Sequence, residues 1–100
     1  YFGAWNFGPN LKKTFKVKDI LLDIKRRNPK LRWKIIKPKE IQESINLNLD
    51  IKKAKNILKW KPKWKIKKAV EETNRWYENF YNKKDINYLT MKQIKDFFKL

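Results

Sequence analysis

The stretch "LDIKKAKNILKWKPKW", residues 49–64, holds six lysines and two tryptophans in sixteen positions. Lysines interleaved with aromatics suit a surface that follows a nucleic-acid backbone and stacks its bases. The same letters also fit a short helix with solvated lysines, followed by a turn whose tryptophans point inward. That second reading starts from Asp50, whose carboxylate suits the free amides of a first helical turn. The helix it opens places Ile51, Ala54, Ile57 and Leu58 inward and Lys52, Lys53, Lys55 and Asn56 outward. Pro62 breaks it. Trp60 and Trp64 then flank a proline turn between two amphipathic helices, and with Trp76 they are expected to be mostly buried around that joint.

Upstream, "INLNLD" (45–50) sets Ile45, Leu47 and Leu49 against Asn46, Asn48 and Asp50, the alternation of a half-buried strand. Residues 2–7 alternate in the same way until Gly8-Pro9-Asn10 ends them, and "RWKII" (32–36) is a third candidate strand. Between them, Val17, Ile20, Leu21 and Ile24 recur at helical spacing, and Pro29 stops that helix near Asn28. Downstream, Ile66, Ala69, Val70, Thr73, Trp76 or Tyr77, and Phe80 keep one face of a long helix, with Glu71 and Arg75 paired on the other. A last helix is predicted to start at Thr90 with a Thr90–Gln93 capping box and a Leu89–Ile94 staple, burying Ile94, Phe97 and Phe98. The pattern predicts an α+β fold, mainly helical, with four helices and two or three short strands in one region spanning residues 1–100.

Composition narrows the chemistry. With 41% hydrophobic and 15% aromatic residues, the chain can build a core, though a small one at 100 residues. Cysteine and histidine are both absent, which removes disulfides, thiol nucleophiles, imidazole bases and the usual zinc ligands. The net charge of +17 invites polyanions, yet it is almost all lysine, the only arginines being Arg26, Arg27, Arg32 and Arg75. Arginine is the residue of forked phosphate and guanine contacts. Lysine rises here with isoleucine and asparagine, which share A/T-rich codons, so a biased genome accounts for most of the charge. No run approaches the ~18 apolar residues of a membrane span and no signal-peptide pattern opens the chain, so a cytoplasmic location is expected.

Only Gly3 and Gly8 are present, too few for a glycine-rich phosphate loop. Tyr88-Leu-Thr-Met-Lys92 matches the Tyr-x-x-x-Lys of short-chain dehydrogenases. A helix starting at Thr90 leaves Tyr88 outside it, and the match reads as chance in so lysine-rich a chain.

Taken in order, "AWNFGPN", the helix from Val17, "ESINLNLD", "KAKNILKWKPKW", "AVEETNRWYENFY" and "KKDINYLTMKQIKDFF" resemble the C-terminal end of a CDP-glucose 4,6-dehydratase. The family belongs to the extended short-chain dehydrogenases; "WNFGP" and the tail after "WYENFY" point to its CDP-glucose branch. The resemblance implies an NAD-binding Rossmann domain joined to a smaller domain that holds the sugar nucleotide. It implies oxidation of the sugar at C4, loss of water across C5–C6 and return of the hydride to C6. The cofactor loop and catalytic residues lie upstream of the matched region, so the chain is expected to be a substrate-domain fragment that lacks most of the Rossmann domain and is not catalytic alone. NAD and a CDP-sugar are then ligands of the full-length enzyme, and this fragment binds no NAD. The implied partners are the rest of the dehydratase chain and further copies in a homo-oligomer, with no membrane and no specific nucleic acid. Glu43, opening the strand matched by "ESINLNLD", is the implied ribose-binding carboxylate, with Gln42 beside it where the branch usually has histidine. Asn6 and Asp50 read as structural. Where the family has "LGW" this chain has Lys59, a non-glycine residue at a helix end that favours the left-handed conformation. The competing readings are a small lysine-rich protein binding nucleic acid without sequence preference, and a fragment of another nucleotide-sugar epimerase or dehydratase.

Overall fold

The structure is a computed structural model, and it describes residues 1–10, 16–34, 36 and 49–100. Four helices follow in order: α1 (Val17–Arg27), α2 (Lys52–Ile57), α3 (Ile66–Tyr81) and α4 (Ile86–Phe98). The chain divides into two compact units, one of Tyr1–Asn10 with Leu49–Leu100 and the other of Leu11–Asn48.

In the Leu11–Asn48 unit, α1 runs as its periodicity predicts. Its entry is fixed by Asp19, whose carboxylate accepts from the Lys16 amide at 3.0 Å. Lys25, Arg26 and Arg27 stand in the last turn, where the helix dipole favours cations. The helix gives out at Asn28, whose amide donates to the Ile24 carbonyl at 2.9 Å, with Pro29 next in line. Lys25 then lies over the Trp33 ring, 5.3 Å from its centroid.

In the other unit, Asp50 Oδ1 accepts from the Lys52 amide at 2.9 Å, but the cap position of α2 is Ile51, so Asp50 stands one residue ahead of the cap expected of it. Ile51 and Ala54 are buried, but Ile57 is 52% and Leu58 37% exposed, so only the front of the helix reaches the core. The helix ends well before Pro62 because Lys59 takes a left-handed conformation, φ 54°. Helices α3 and α4 close the same way at Lys83 and Lys99, with φ of 55° and 56°. In both, paired backbone bonds cap the last turn: Lys84 to Asn79 and Lys83 to Phe80, then Leu100 to Lys95 and Lys99 to Asp96.

The α+β expectation is overturned: the four helices are the regular elements of the described residues, and no strand occurs among them. Alternation makes a strand only where a second strand supplies ladder partners. Residues 2–7 find other partners instead. Lys53 Nζ donates to the Ala4 carbonyl at 2.9 Å and lies 4.3 Å over the Trp5 ring, and Phe7 meets Trp60 edge-on. The described part of "RWKII" is irregular, as are Leu49 and Asp50 at the end of "INLNLD". Ile35 and residues 45–48 of those two stretches lie outside the described residues.

The start of α4 is also corrected. It begins at Ile86, one turn before Thr90, with Asp85 as its cap, accepting from the Tyr88 amide at 3.2 Å. Thr90 and Gln93 are therefore mid-helix and free to serve α3.

Candidate functional site

The implied substrate residues, Gln42 and Glu43, lie outside the described residues. Among those described, the polar chemistry concentrates where α3 meets α4. Ala69, Glu72, Thr73 and Trp76 recur at helical spacing on α3, which turns a carboxylate into the contact. Glu72 is 5% exposed. A charge so placed destabilises the fold unless it is partnered.

Partners come from both helices. Gln93 of α4 donates through Nε2 to the Glu72 carbonyl at 2.8 Å and to its Oε2 at 2.9 Å. Arg75 Nη1 donates to Oε1 at 2.9 Å, and Lys68 Nζ lies 3.2 Å from the same oxygen and 3.6 Å from Asp96 Oδ2. The expected Arg75 pairing with Glu71 thus gives way to one with Glu72. Beside the cluster, Trp76 Nε1 donates to Thr90 Oγ1 at 2.8 Å. No buried side-chain polar atom among the described residues lacks a partner.

Burial pushes the Glu72 carboxyl up, but hydrogen bonds from Gln93 and Lys68 and the charges of Arg75 and Lys68 outweigh it, leaving the group below its ordinary value. Lys68 is raised above the ordinary lysine value, chiefly by its hydrogen bond to Glu72. A general acid or base at neutral pH needs a carboxyl tuned upward. Glu72 is tuned the other way, and its oxygens are already engaged. The adjoining hollow, about 290 Å³, is open and small for an organic ligand. The cluster fastens two helices.

A second cluster is aromatic. Trp60 stacks on Phe97 with centroids 6.2 Å apart and takes the edge contact from Phe7 at 5.2 Å. Trp64 meets the same Phe97 edge-on at 5.2 Å, and Lys68 Nζ lies 5.7 Å over its ring. Trp60, Trp64 and Trp76 are half-buried, short of the burial expected for them. The first two seal the α2–α3 connection against α4, as the spacing around Pro62 suggests. Of the predicted buried side of α4, Phe97 is half-buried while Ile94 and Phe98 are 43% and 45% exposed.

Tyr88 and Lys92 both stand within α4, so Tyr88 does not precede the helix as expected. Tyr88 is nevertheless 70% exposed on the helix surface. The two glycines do not form a dinucleotide cradle: Gly8 lies against Leu49 and Ile51, Gly3 beside Lys53, and neither opens a helix. Among the described residues no group of three acidic side chains is placed to hold a metal, and no helix is long and apolar enough to cross a membrane.

Glu72 and Gln93 are the polar residues that pattern reasoning missed. The available signal was an acid inside an apolar stripe, flanked by Lys68 and Arg75 one helical turn away on either side. No family model, curated protein or solved structure matches this chain.

Proposed function

We propose that this chain is the C-terminal substrate-domain region of a cytoplasmic, NAD-dependent CDP-glucose 4,6-dehydratase. One observation carries the reading. Four of the six segments that resemble the dehydratase, "AWNFGPN", "KAKNILKWKPKW", "AVEETNRWYENFY" and "KKDINYLTMKQIKDFF", fold against one another in a single compact unit, whereas the helix from Val17 and most of "ESINLNLD" belong to the other unit. Phe7 of the first touches Trp60 of the second, and Trp60 and Trp64 touch Phe97 at the end of the last helix. Trp76 of the third bonds Thr90 of the fourth. Residues far apart in the chain act as one packing set, as they must if the motif order reflects a shared fold.

The surface gives secondary support. Phe2, Tyr77, Phe80, Tyr81, Tyr88 and Met91 are all at least 47% exposed. Apolar surface of that kind belongs to a domain that rests on another, and the Rossmann domain of the full enzyme is the implied cover. In this reading NAD and the CDP-sugar bind the full-length, homo-oligomeric enzyme, and Glu43 with Gln42 stands at the nucleotide end of its site. This chain supplies structure there and no catalytic group.

The test is a chimera in which residues 1–100 replace the corresponding C-terminal region of a working CDP-glucose 4,6-dehydratase. The expected result is conversion of CDP-glucose to its 4-keto-6-deoxy product. A chimera that folds and retains NAD but turns over no nucleotide sugar overturns the assignment. Turnover of a different nucleotide sugar moves it within the superfamily.

A further inference from the structure

Between Asp50 and Glu71 the chain carries nine lysines and no acidic residue. From Lys59 to Lys67 exposure alternates strictly: Lys59, Lys61, Lys63, Lys65 and Lys67 are exposed, and Trp60, Pro62, Trp64 and Ile66 are partly buried. Trp60 and Trp64 both turn onto Phe97, and the lysines between and after them are exposed. Lys61, Lys63 and Lys65 stand on the non-helical connection between α2 and α3, which bends at Trp64, and Lys67 follows in the first turn of α3. The ammonium groups of Lys61, Lys63, Lys65 and Lys67 make no hydrogen bond or ion pair to any described residue.

We propose that Lys61, Lys63, Lys65 and Lys67 form a phosphate-contacting row that binds the backbone of a nucleic acid without reading its sequence. Successive exposed cations with no acidic residue among them fit the successive phosphates of a nucleic-acid backbone. It fits a bilayer poorly, because membrane-surface elements insert apolar side chains beside their cations, and here the neighbouring apolar side chains are turned inward. The same inward turn removes base stacking, the contact by which aromatic–lysine surfaces prefer single strands. The row therefore holds single-stranded and duplex nucleic acid alike, through counterion release. This inference does not depend on the dehydratase reading.

The experiment measures affinity for a labelled oligothymidine and for a mixed-sequence duplex as salt rises from ~50 to ~200 mM. Four phosphate contacts account for a loss of about 50-fold over that range with a single strand. The variant Lys61→Gln/Lys63→Gln/Lys65→Gln/Lys67→Gln is expected to flatten the log–log salt slope by about 3. A control with the same charge change elsewhere, Lys18→Gln/Lys30→Gln/Lys84→Gln/Lys95→Gln, is expected to keep most of it. Arginine at the four row positions is expected to restore the full slope, and circular dichroism confirms that each variant keeps its helices. Equal flattening by row and control variants overturns the proposal, because binding is then a property of net charge. So does row-dependent binding to phosphatidylserine-containing vesicles that exceeds binding to either oligonucleotide.

Discussion

Replacing Glu72 by alanine tests whether the α3–α4 contact is held by a carboxylate. The side chain accepts from Gln93 at 2.9 Å and from Arg75 at 2.9 Å, with Lys68 at 3.2 Å. The cations left behind are not trapped, since the side chains of Lys68 and Arg75 are 44% and 46% exposed and rehydrate. The about 3–5 kcal/mol cost of abandoning a buried charge therefore does not apply. What is lost is a hydrogen bond to a charged acceptor, about 1.5–3 kcal/mol, and exposed ion pairs of about 0.2–1 kcal/mol each. Against this stands the relief of no longer burying a carboxylate. The net expectation is a destabilisation of about 2 kcal/mol, which in a domain of this size lowers Tm by about 8–16 °C.

Glu72→Gln keeps the shape and one acceptor and removes the charge, for about 1 kcal/mol. Its pH dependence is the sharper measurement. The folded-state pKa of Glu72 is depressed, so its stabilisation is present above the unfolded value, about 4.3, and is lost as pH falls through the lower folded value. Urea unfolding followed by tryptophan fluorescence should show wild type and Glu72→Gln apart at neutral pH and converging under acid. A Glu72→Ala cost below about 0.5 kcal/mol, the level of an ordinary surface change, refutes the reasoning. A wild type–Gln gap that does not change with pH refutes it equally.

Lys59→Gly, Lys83→Gly and Lys99→Gly are each expected to stabilise the chain by about 0.5–1 kcal/mol, since relief of left-handed strain exceeds the extra unfolded-state entropy of glycine; denaturant midpoints check this. Trp76→Phe removes the donation to Thr90 Oγ1 and is expected to cost about 1 kcal/mol in the same assay. Ala54→Leu forces a large side chain into a position with 0% exposure and is expected to cost about 1–3 kcal/mol. The isolated chain is expected to show no NAD-dependent turnover of CDP-glucose in a product assay; turnover by purified material removes the fragment reading.

Where a signal is local and repeated, the sequence carries it. Val17, Ile20, Leu21 and Ile24 mark α1, and the stripe from Ile66 to Phe80 marks α3, because each helix holds its own period. Lys59 was legible from the resemblance, since a residue standing where the resembled family has glycine points to a left-handed helix end, and its φ is 54°. The misses share one cause, a partner distant in the chain. Thr90 and Gln93 make a complete capping box on paper, yet their side chains serve Trp76 and Glu72 across the helix contact, and Asp85 caps instead. Residues 2–7 alternate like a strand but meet α2 and Trp60 rather than a ladder. Glu72 was passed over because Gln93, the residue that makes its burial tolerable, stands 21 positions away. Of the candidate site, Gln42 and Glu43 rest on resemblance, and periodicity had nothing to say about them.

Lysine shows why position has to replace abundance as the functional signal. In a chain this rich in lysine, the residue fills structural roles that other proteins give to glycine or arginine. Lys59, Lys83 and Lys99 turn helix ends at a left-handed cost of about 1–2 kcal/mol each. Lys25, Lys53 and Lys68 cover Trp33, Trp5 and Trp64, their ammonium groups drawn to the negative faces of the rings. Lys68 also partners Glu72. Lysines so employed are held to the protein itself, by a ring, a carboxylate or a helix end. Lys61, Lys63, Lys65 and Lys67 make no ring, carboxylate or left-handed helix-end contact among the described residues, and they are exposed from the α2–α3 connection into the first turn of α3. Composition supplies lysines without arranging them, whereas Trp60 and Trp64, half-buried among these lysines, fix which way the connection faces. A basic surface in this chain is therefore defined by the packing of Trp60 and Trp64 on Phe97. Loosening that joint should blunt polyanion binding even with every lysine in place.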